Sequence, residues 1–290
     1  MPVSHLMLAL MVVVIWGVNF LFVKFGLDEI SSLQLCALRF FLASIPAVFF
    51  IKRPEVPFRY IVAYGLIVFA LQFGLLFMGM EAGMAPGMTS LIMQVQVFFS
   101  MFFAMVFLKE KPKAMQIIGA LIAFSGIGLV ALHFDKSISG IGFILILAAA
   151  ASWGLGNLIT KKINSTHLIA VIVWGSFIAT LPMFIMALLV EGPRDFIDTF
   201  EHLTWHGFGA LLYIVYASTW LGYGVWNWLI TRYPVAMIVP FTLLVPVVGI
   251  FSSVVVLNEP FAYWQLTAGM LVLLGLAINV YSTRKAYVKR

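Results

Sequence analysis

The sequence predicts an all-α integral membrane protein with ten transmembrane helices arranged as two inverted five-helix repeats. Three observations support this prediction: the composition, the length of the apolar segments, and two strings that each occur twice. Hydrophobic residues make up 63% of the 290 residues, charged residues only 10%, and the mean hydropathy is +1.09. A soluble domain carries roughly 25% charged residues, so the excess of apolar side chains has to face lipid. The composition therefore excludes a soluble enzyme and a nucleic-acid-binding domain.

The apolar residues fall into ten runs separated by charges, proline and glycine. Each run is near the length of about 20 residues that crosses a bilayer as a helix. Backbone polar groups in lipid are satisfied inside a helix, whereas the strands of a membrane barrel would alternate apolar and polar residues. The predicted spans are 5–25, 33–51, 59–80, 86–108, 114–132, 139–160, 168–190, 208–230, 235–257 and 262–282.

Basic residues are distributed unevenly between the predicted loops, and Lys and Arg collect on the cytoplasmic side of a membrane protein. One side has thirteen: Lys52, Arg53, Arg59, Lys109, Lys111, Lys113, Lys161, Lys162, Arg232, Arg284, Lys285, Lys289 and Arg290. The other side has only Lys24, Lys136 and Arg194. This asymmetry predicts that both termini are cytoplasmic, and it explains the net charge of +6 without a nucleic-acid partner.

Two strings recur in the second half of the chain. WGVNFLFVK at 16–24 recurs as WGLGNLITK at 153–161, and FLKEKPKAMQIIGALIAFSG at 107–126 recurs as VLNEPFAYWQLTAGMLVLLG at 256–275. The duplicated units are 5–132 and 139–282, with five predicted spans each. Five is odd, so the second unit enters the membrane from the opposite side. Inverted repeats around a central site are typical of alternating-access transporters, and a duplicated scaffold without transport is the alternative.

Polar groups within the apolar spans are the candidate substrate contacts. In the eighth span, Trp220, Tyr223 and Asn227 follow Tyr213 and Tyr216 at steps of three and four residues. Helical spacing would place all five on one face, which predicts a cavity wall. The alternative is interhelical packing together with an interfacial aromatic belt.

The first and sixth spans carry a similar pair of side chains. Trp16 and Asn19 share one face of the first span, and Trp153 and Asn157 share one face of the sixth. This correspondence predicts a common substrate site between the two units. The alternative is that each Asn only forms hydrogen bonds between helices.

Two glutamines extend this candidate site. Gln94 shares a face of the fourth span with Ser90. Gln96 lies about 200° away on an α-helix, so we expect Gln94 to face the cavity and Gln96 to contact a neighbouring helix. Gln72, on the third span, is a further candidate at similar depth.

Arg39 is the one basic residue well inside a predicted span. Inserting an arginine at the middle of a transmembrane helix costs about 2.5–3.5 kcal/mol on insertion scales, so its presence indicates a structural or functional role. One hypothesis is that it binds a substrate carboxylate. The other is a structural role, with the guanidinium bonded to backbone carbonyls or placed near Glu81 or Asp28.

Several motifs are absent from the sequence. It has no phosphate-binding loop for ATP and no clustered Cys and His ligands, so we predict no cofactor, no metal and no enzyme activity. The single cysteine, Cys36, cannot form an internal disulfide. No Asp or Glu lies near the middle of a span, which leaves the energy source open.

The strings SLIMQVQVFF, SWGLGNLITKKI and GYGVWNWLITRYPVAMIVPFTLLVPVVG, together with LNEP, resemble the EamA-type transporters of the drug/metabolite transporter superfamily. The string at 222–249 is the most specific and is similar to members that export O-acetylserine and cysteine. The resemblance implies two EamA units, ten spans, a bacterial inner-membrane location and export of amino acids or related metabolites. It draws attention to Trp16, Asn19, Arg39, Gln94 and the segment 222–227.

Together, these observations predict an ATP-independent, alternating-access exporter of small zwitterionic metabolites, monomeric in the lipid bilayer. The first alternative is broad-specificity efflux of drugs or lipophilic compounds, because fifteen Met and many aromatic residues give an adaptable pocket. A second alternative is a non-transporting receptor or assembly subunit.

Overall fold

The computed structural model describes residues 1–133, 139–163, 167–233, 238–258 and 262–287. Throughout these residues the ordered elements are helical and there is no strand. The α-helices are α1 Val3–Leu27, α2 Ser32–Ser44, α3 Phe58–Tyr64, α4 Gln72–Glu81, α5 Pro86–Met93, α6 Gln96–Leu108, α7 Ala114–Ala131, α8 Gly140–Ile163, α9 Leu168–Val190, α10 Pro193–His202, α11 Trp205–Leu212, α12 Tyr223–Arg232, α13 Val245–Leu257 and α14 Tyr263–Tyr287. Short 3₁₀ segments cover Ala47–Phe49 and Val239–Leu244, and π-helical segments cover Gly65–Leu71 and Tyr213–Gly222.

Nine helical segments in the described part of the chain are long and apolar enough to cross a membrane. They coincide closely with the predicted spans; for example, the predicted spans 86–108 and 168–190 have the same bounds in the structure. The predicted span 235–257 corresponds to a shorter apolar helix, Phe241–Leu257, and begins partly outside the described residues. The architecture is therefore a multi-span helical membrane protein, with the count of ten remaining a prediction.

The second span departs from the continuous helix predicted over 33–51. Its α-helix ends at Ser44, and a 3₁₀ turn at Ala47–Phe49 follows. The reason is local: Pro46 has no N–H to donate, and a proline disfavours helical backbone at the preceding residue, Ile45. The carbonyl groups of the last turn of α2 therefore need other donors.

Helical irregularities occur at corresponding places in the two halves. The π-helical segments begin at Gly65 and Tyr213, which are 148 residues apart, and the second pair of repeated strings has an offset of 149. The fourth span is interrupted between α5 and α6 at Gln94–Val95, and the segment before α13 is 3₁₀-helical. The duplication visible in the sequence is therefore also present in the local backbone structure. Interrupted helices and π-helical segments are both common at functional sites.

The last helices of the two halves, α7 and α14, pack at very close range. A Cβ atom added to Gly119 would lie 2.6 Å from the carbonyl oxygen of Gly275, and one added to Gly126 would lie 2.8 Å from that of Ala268. Small residues at such positions allow helix backbones to approach closely in lipid. This contact joins the C-terminal ends of the two repeats directly.

Candidate functional site

The interface between α1 and the π-helical segment 213–222 contains the first group of predicted site residues. The indole Nε1 of Trp16 donates a hydrogen bond to the carbonyl of Ser218 at 3.1 Å, and the Tyr213 hydroxyl donates to the carbonyl of Ile15 at 2.9 Å. The rings of Trp16 and Tyr223 lie 5.2 Å apart. This contact requires Gly222, because an added Cβ would come within 2.5 Å of the Trp16 Nε1.

The other π-helical segment has an equivalent donor. The Ser152 hydroxyl, on α8, donates a hydrogen bond to the carbonyl of Ile67 at 2.8 Å. Ser152 immediately precedes Trp153, which corresponds to Trp16 in the repeated strings. In both halves, the irregular segment therefore accepts a bond from the first helix of the other half. Backbone groups freed by an irregular membrane helix need partners of this kind.

Arg39 lies in the interior, on α2, with 2% of its surface exposed. Its Nη2 donates to the hydroxyl oxygen of Thr219 at 3.1 Å, and the guanidinium carbon is 3.9 Å from the centre of the Phe73 ring. Its Nε and Nη1 have no hydrogen-bond partner in the part of the chain that the structure describes. Among the described residues no Asp or Glu forms an ion pair with it, and Glu81 instead caps the start of α2. Thr219, its hydrogen-bond partner, lies four residues before Tyr223, whose ring is 5.2 Å from that of Trp16, so Arg39, Tyr223 and Trp16 are grouped around the end of the segment 213–222.

Four other predicted residues occupy different environments. Asn19 is buried, and its side-chain oxygen has no hydrogen-bond partner among the residues with described positions. Gln72 is buried on α4, beside the Phe73 that covers Arg39. Gln94 is half-buried at the interruption between α5 and α6, so the angle calculated for a continuous helix does not apply to it. Trp153 is half-buried against the main apolar core.

Asn157 is separate from this neighbourhood and faces a groove. Its amide nitrogen donates to the Gln96 side-chain oxygen at 2.8 Å and to the Ser100 hydroxyl at 2.9 Å. The groove has a volume of about 290 Å³, and Lys161 and Glu110 also line it. Their side chains form an ion pair at 2.6 Å that joins the two halves. The side chain of Asn227, the remaining predicted residue, lies outside the described part of the structure.

The eighth span does not present one continuous aromatic face. A π-helix has more residues per turn than an α-helix. Side chains three and four residues apart, which share a face of an α-helix, therefore point in different directions here. Tyr213 and Tyr223 turn toward α1, whereas Tyr216 and Trp220 line an apolar pocket of about 310 Å³. The Trp220 indole donates to the carbonyl of Ala43 at 3.2 Å, which gives the last turn of α2 one of its missing donors.

Replacing Trp220 with phenylalanine is expected to lower the free energy of unfolding by about 1 kcal/mol, the typical net value of one hydrogen bond. The physical reason is the loss of the donor to the carbonyl of Ala43 with little loss of apolar area. Thermal unfolding of the purified variant in detergent measures this. Tyr216→Phe, in the same pocket, is the matched control because the Tyr216 hydroxyl forms no hydrogen bond with the described residues. Equal melting temperatures for both variants would contradict the structural role of the indole N–H.

At one end of the bundle, carboxylates from each half cap helices of the other half. Glu191, in the second half, accepts bonds at the start of α2 from the Ser31 hydroxyl at 2.6 Å and from the backbone N–H groups of Leu33 and Gln34 at 2.8 and 3.2 Å. Glu29, in the first half, accepts bonds at the start of α11 from the hydroxyl and the N–H of Thr204 at 2.6 and 2.8 Å. Negative charge at a helix N-terminus is stabilised by the unpaired N–H groups and the helix dipole.

The two carboxylates differ in acidity. The hydrogen bond from the Thr204 hydroxyl lowers the pKa of Glu29, while burial raises the pKa of Glu191, with Glu81 nearby adding to the rise. Glu191 therefore takes up a proton at a higher pH than Glu29 does. Sequence reasoning missed these caps, as well as Thr219 and Ser152. The sequence signal for the Glu191 cap was a glutamate directly after an apolar span. The signal for Thr219 and Ser152 was a hydroxyl side chain inside an apolar span.

A duplicated bundle of apolar helices with interrupted segments and polar groups in its interior defines the class of membrane transport proteins. Within that class, the chain matches the EamA-like transporter family over residues 3–132 and 140–281, and it belongs to this family, part of the drug/metabolite transporter superfamily.

Relatives with similar sequences extend over almost the whole chain. The chain is 36% identical over 286 residues to a "Probable amino-acid metabolite efflux pump" of Escherichia coli (strain K12), covering 96% of this chain and 95% of the relative. It is 38% identical, with the same coverage, to the protein of that name from Salmonella typhimurium. A solved crystal structure shares the fold, with a TM-score of 0.63, 16% identity and 97% of each chain covered. These relatives support a role in membrane transport and efflux.

Proposed function

We propose that the protein exports small amino acids or amino-acid-derived metabolites, of the kind represented by cysteine and O-acetylserine, by ATP-independent alternating access. The observation that carries this proposal is a set of buried polar atoms that find no hydrogen-bond partner among the described residues of an apolar bundle. They are Asn19 Oδ1, both side-chain polar atoms of Gln34, Arg39 Nε and Nη1, Thr89 Oγ1 and Ser176 Oγ. Burial of polar groups without hydrogen bonds is unfavourable, so these groups fit a bundle that a polar solute enters.

The contrast between the two ends supports alternating access. Glu29 and Glu191 join the halves at the end that the basic residues predict to be outside. The groove beside Asn157 opens near Lys161, at the predicted cytoplasmic end, where the halves are joined by an exposed ion pair between Lys161 and Glu110. This arrangement fits a conformation that is closed toward the outside and receives solute from the cytoplasm.

The chemistry of the interior fits a zwitterion. Trp16 and Tyr223 offer aromatic faces that attract an ammonium group, each contact contributing about 0.5–2 kcal/mol. Asn19 and Gln94 offer amide groups for hydrogen bonds. Individually weak contacts suit a carrier, because the solute must also leave. We propose a monomer in the bacterial inner membrane, with both termini cytoplasmic.

Purified protein in liposomes tests this proposal directly. We expect efflux of labelled L-cysteine and O-acetyl-L-serine, in the absence of ATP, at rates well above those of protein-free liposomes. A lipophilic dye forms the second arm of the assay. Transport of the dye without either amino acid would replace the proposal by the drug-efflux alternative, and a flux that requires ATP would contradict the mechanism.

The orientation is tested by cysteine labelling in intact cells. In a Cys36→Ser background, Glu201→Cys is expected to react with a membrane-impermeant maleimide, whereas Lys111→Cys is expected to react only after lysis. Both positions are exposed, and they lie at opposite predicted ends of the bundle. The reverse labelling pattern would show that the termini face outward.

A further inference from the structure

We infer that Arg39 is the counter-ion for the substrate's carboxylate and that it selects anionic or zwitterionic solutes over cations. This inference rests on the proposed export function. Arginine stays protonated in proteins, so the side chain brings a full positive charge into the bundle. With 2% of its surface exposed, this charge has no carboxylate to balance it among the described residues. A permanent structural role is usually accompanied by a carboxylate partner for a buried charge.

The environment of the guanidinium leaves part of its hydrogen-bonding capacity unused. Phe73 covers one face of the group at 3.9 Å, and Thr219 fixes Nη2 at 3.1 Å. The hydrogen-bonding edges that carry Nε and Nη1 have no partner within residues 1–133, 139–163, 167–233, 238–258 and 262–287. A carboxylate binds in the guanidinium plane and accepts N–H groups there, so the stacked Phe73 does not obstruct it.

The charge count sets the class of ligand. Arg39 is the one basic residue among the buried side chains of the described residues, and one positive charge balances one negative charge. A monocarboxylate fits this better than a phosphate, which carries more charge and is usually bound by several basic groups. Unaccompanied cations, including cationic drugs, are repelled by the same charge in a medium of low dielectric constant. The nearby rings of Trp16 and Tyr223 offer the ammonium of a zwitterion its own contact.

A ligand comparison on the wild-type protein tests the inference without a variant. L-cysteinamide has nearly the shape of L-cysteine but lacks the carboxylate. We expect L-cysteine to raise the melting temperature of the purified protein in detergent and to be carried in liposomes, and L-cysteinamide to give no such shift and an at least tenfold lower flux. Equal binding and flux of the two compounds would overturn the inference while leaving the proposed export intact. Absence of flux for L-cysteine, O-acetyl-L-serine and other amino acids would instead overturn the proposed function and this inference with it.

Variants provide the second arm. Arg39→Gln is expected to reduce L-cysteine flux at least tenfold while flux of the cationic L-cysteinamide stays the same or rises. Arg39→Lys is expected to retain an intermediate L-cysteine flux, because lysine keeps the charge without the planar donors. Arg194→Gln, an exposed position in α10, is the matched control and should behave like wild type. A purely structural arginine would change the two fluxes by the same factor, in parallel with a lower melting temperature.

Discussion

Glu191→Ala is expected to open the predicted outer end of the protein. The substitution removes the acceptor for three hydrogen bonds at the start of α2. Loss of a helix cap costs about 0.5–2 kcal/mol, and loss of bonds to a charged group costs about 1.5–3 kcal/mol each. Glu191 is half-buried, so water can bond to some of the groups that lose their acceptor. We therefore expect the closed conformation to lose about 2–3 kcal/mol of stability relative to an open one, which is more than a tenfold change in their population ratio.

The chain contains its own reporter for this change. Cys36 is the single cysteine, it is fully buried, and it lies one turn into α2, the helix that Glu191 caps. In intact cells, we expect an impermeant maleimide to label Cys36 at least tenfold faster in the Glu191→Ala variant than in wild type. Glu191→Gln, which keeps an acceptor oxygen, should give an intermediate rate. Glu201→Ala, at an exposed position in α10, should give the wild-type rate. Unchanged labelling in Glu191→Ala would show that this carboxylate does not hold the end closed.

The repeated strings supplied part of the predicted site, because corresponding residues can be compared without a structure. They drew attention to Trp16 and to its counterpart Trp153. In the structure, Trp16 donates a hydrogen bond to a carbonyl of one π-helical segment, and Ser152, the residue before Trp153, donates to a carbonyl of the other. Arg39 was predictable as a candidate from its charge alone. Its partner Thr219 was not, because the two are 180 positions apart and the pairing depends on how the halves pack.

The π-helical segments explain the largest difference from prediction. The residues of 213–222 have no proline or other signal for an i to i+5 hydrogen-bond pattern, and the segment is hydrogen-bonded to α1 and α2, which are distant in sequence. Face assignments that use the α-helical period therefore failed where the backbone departs from it. Glu191 was similarly unpredictable as a cap, because it acts on backbone groups about 157 residues earlier in the chain.

The contact between α7 and α14 leads to the prediction with the largest effect on folding. Gly119→Val is expected to prevent stable folding, because its Cβ would lie 2.6 Å from the Gly275 carbonyl oxygen and 3.3 Å from the Asn279 nitrogen. Both obstacles are backbone atoms, which cannot move aside as a flexible side chain can. Overpacking of a core costs typically about 1–3 kcal/mol and more where no atom can yield, so we expect a loss of at least about 3 kcal/mol.

The same helix supplies the control for this prediction. Gly128 also lies in α7, and an added Cβ there meets nothing within 4 Å. Gly128→Val is therefore expected to change the free energy of unfolding by less than about 1 kcal/mol, within the range of helix propensities. Monodisperse yield and thermal unfolding in detergent distinguish the two variants. Because α7 and α14 are the last helices of their repeats, equal behaviour of the variants would mean that the repeats are not held together at this contact, and the close approach of the two helices would have no part in joining the halves.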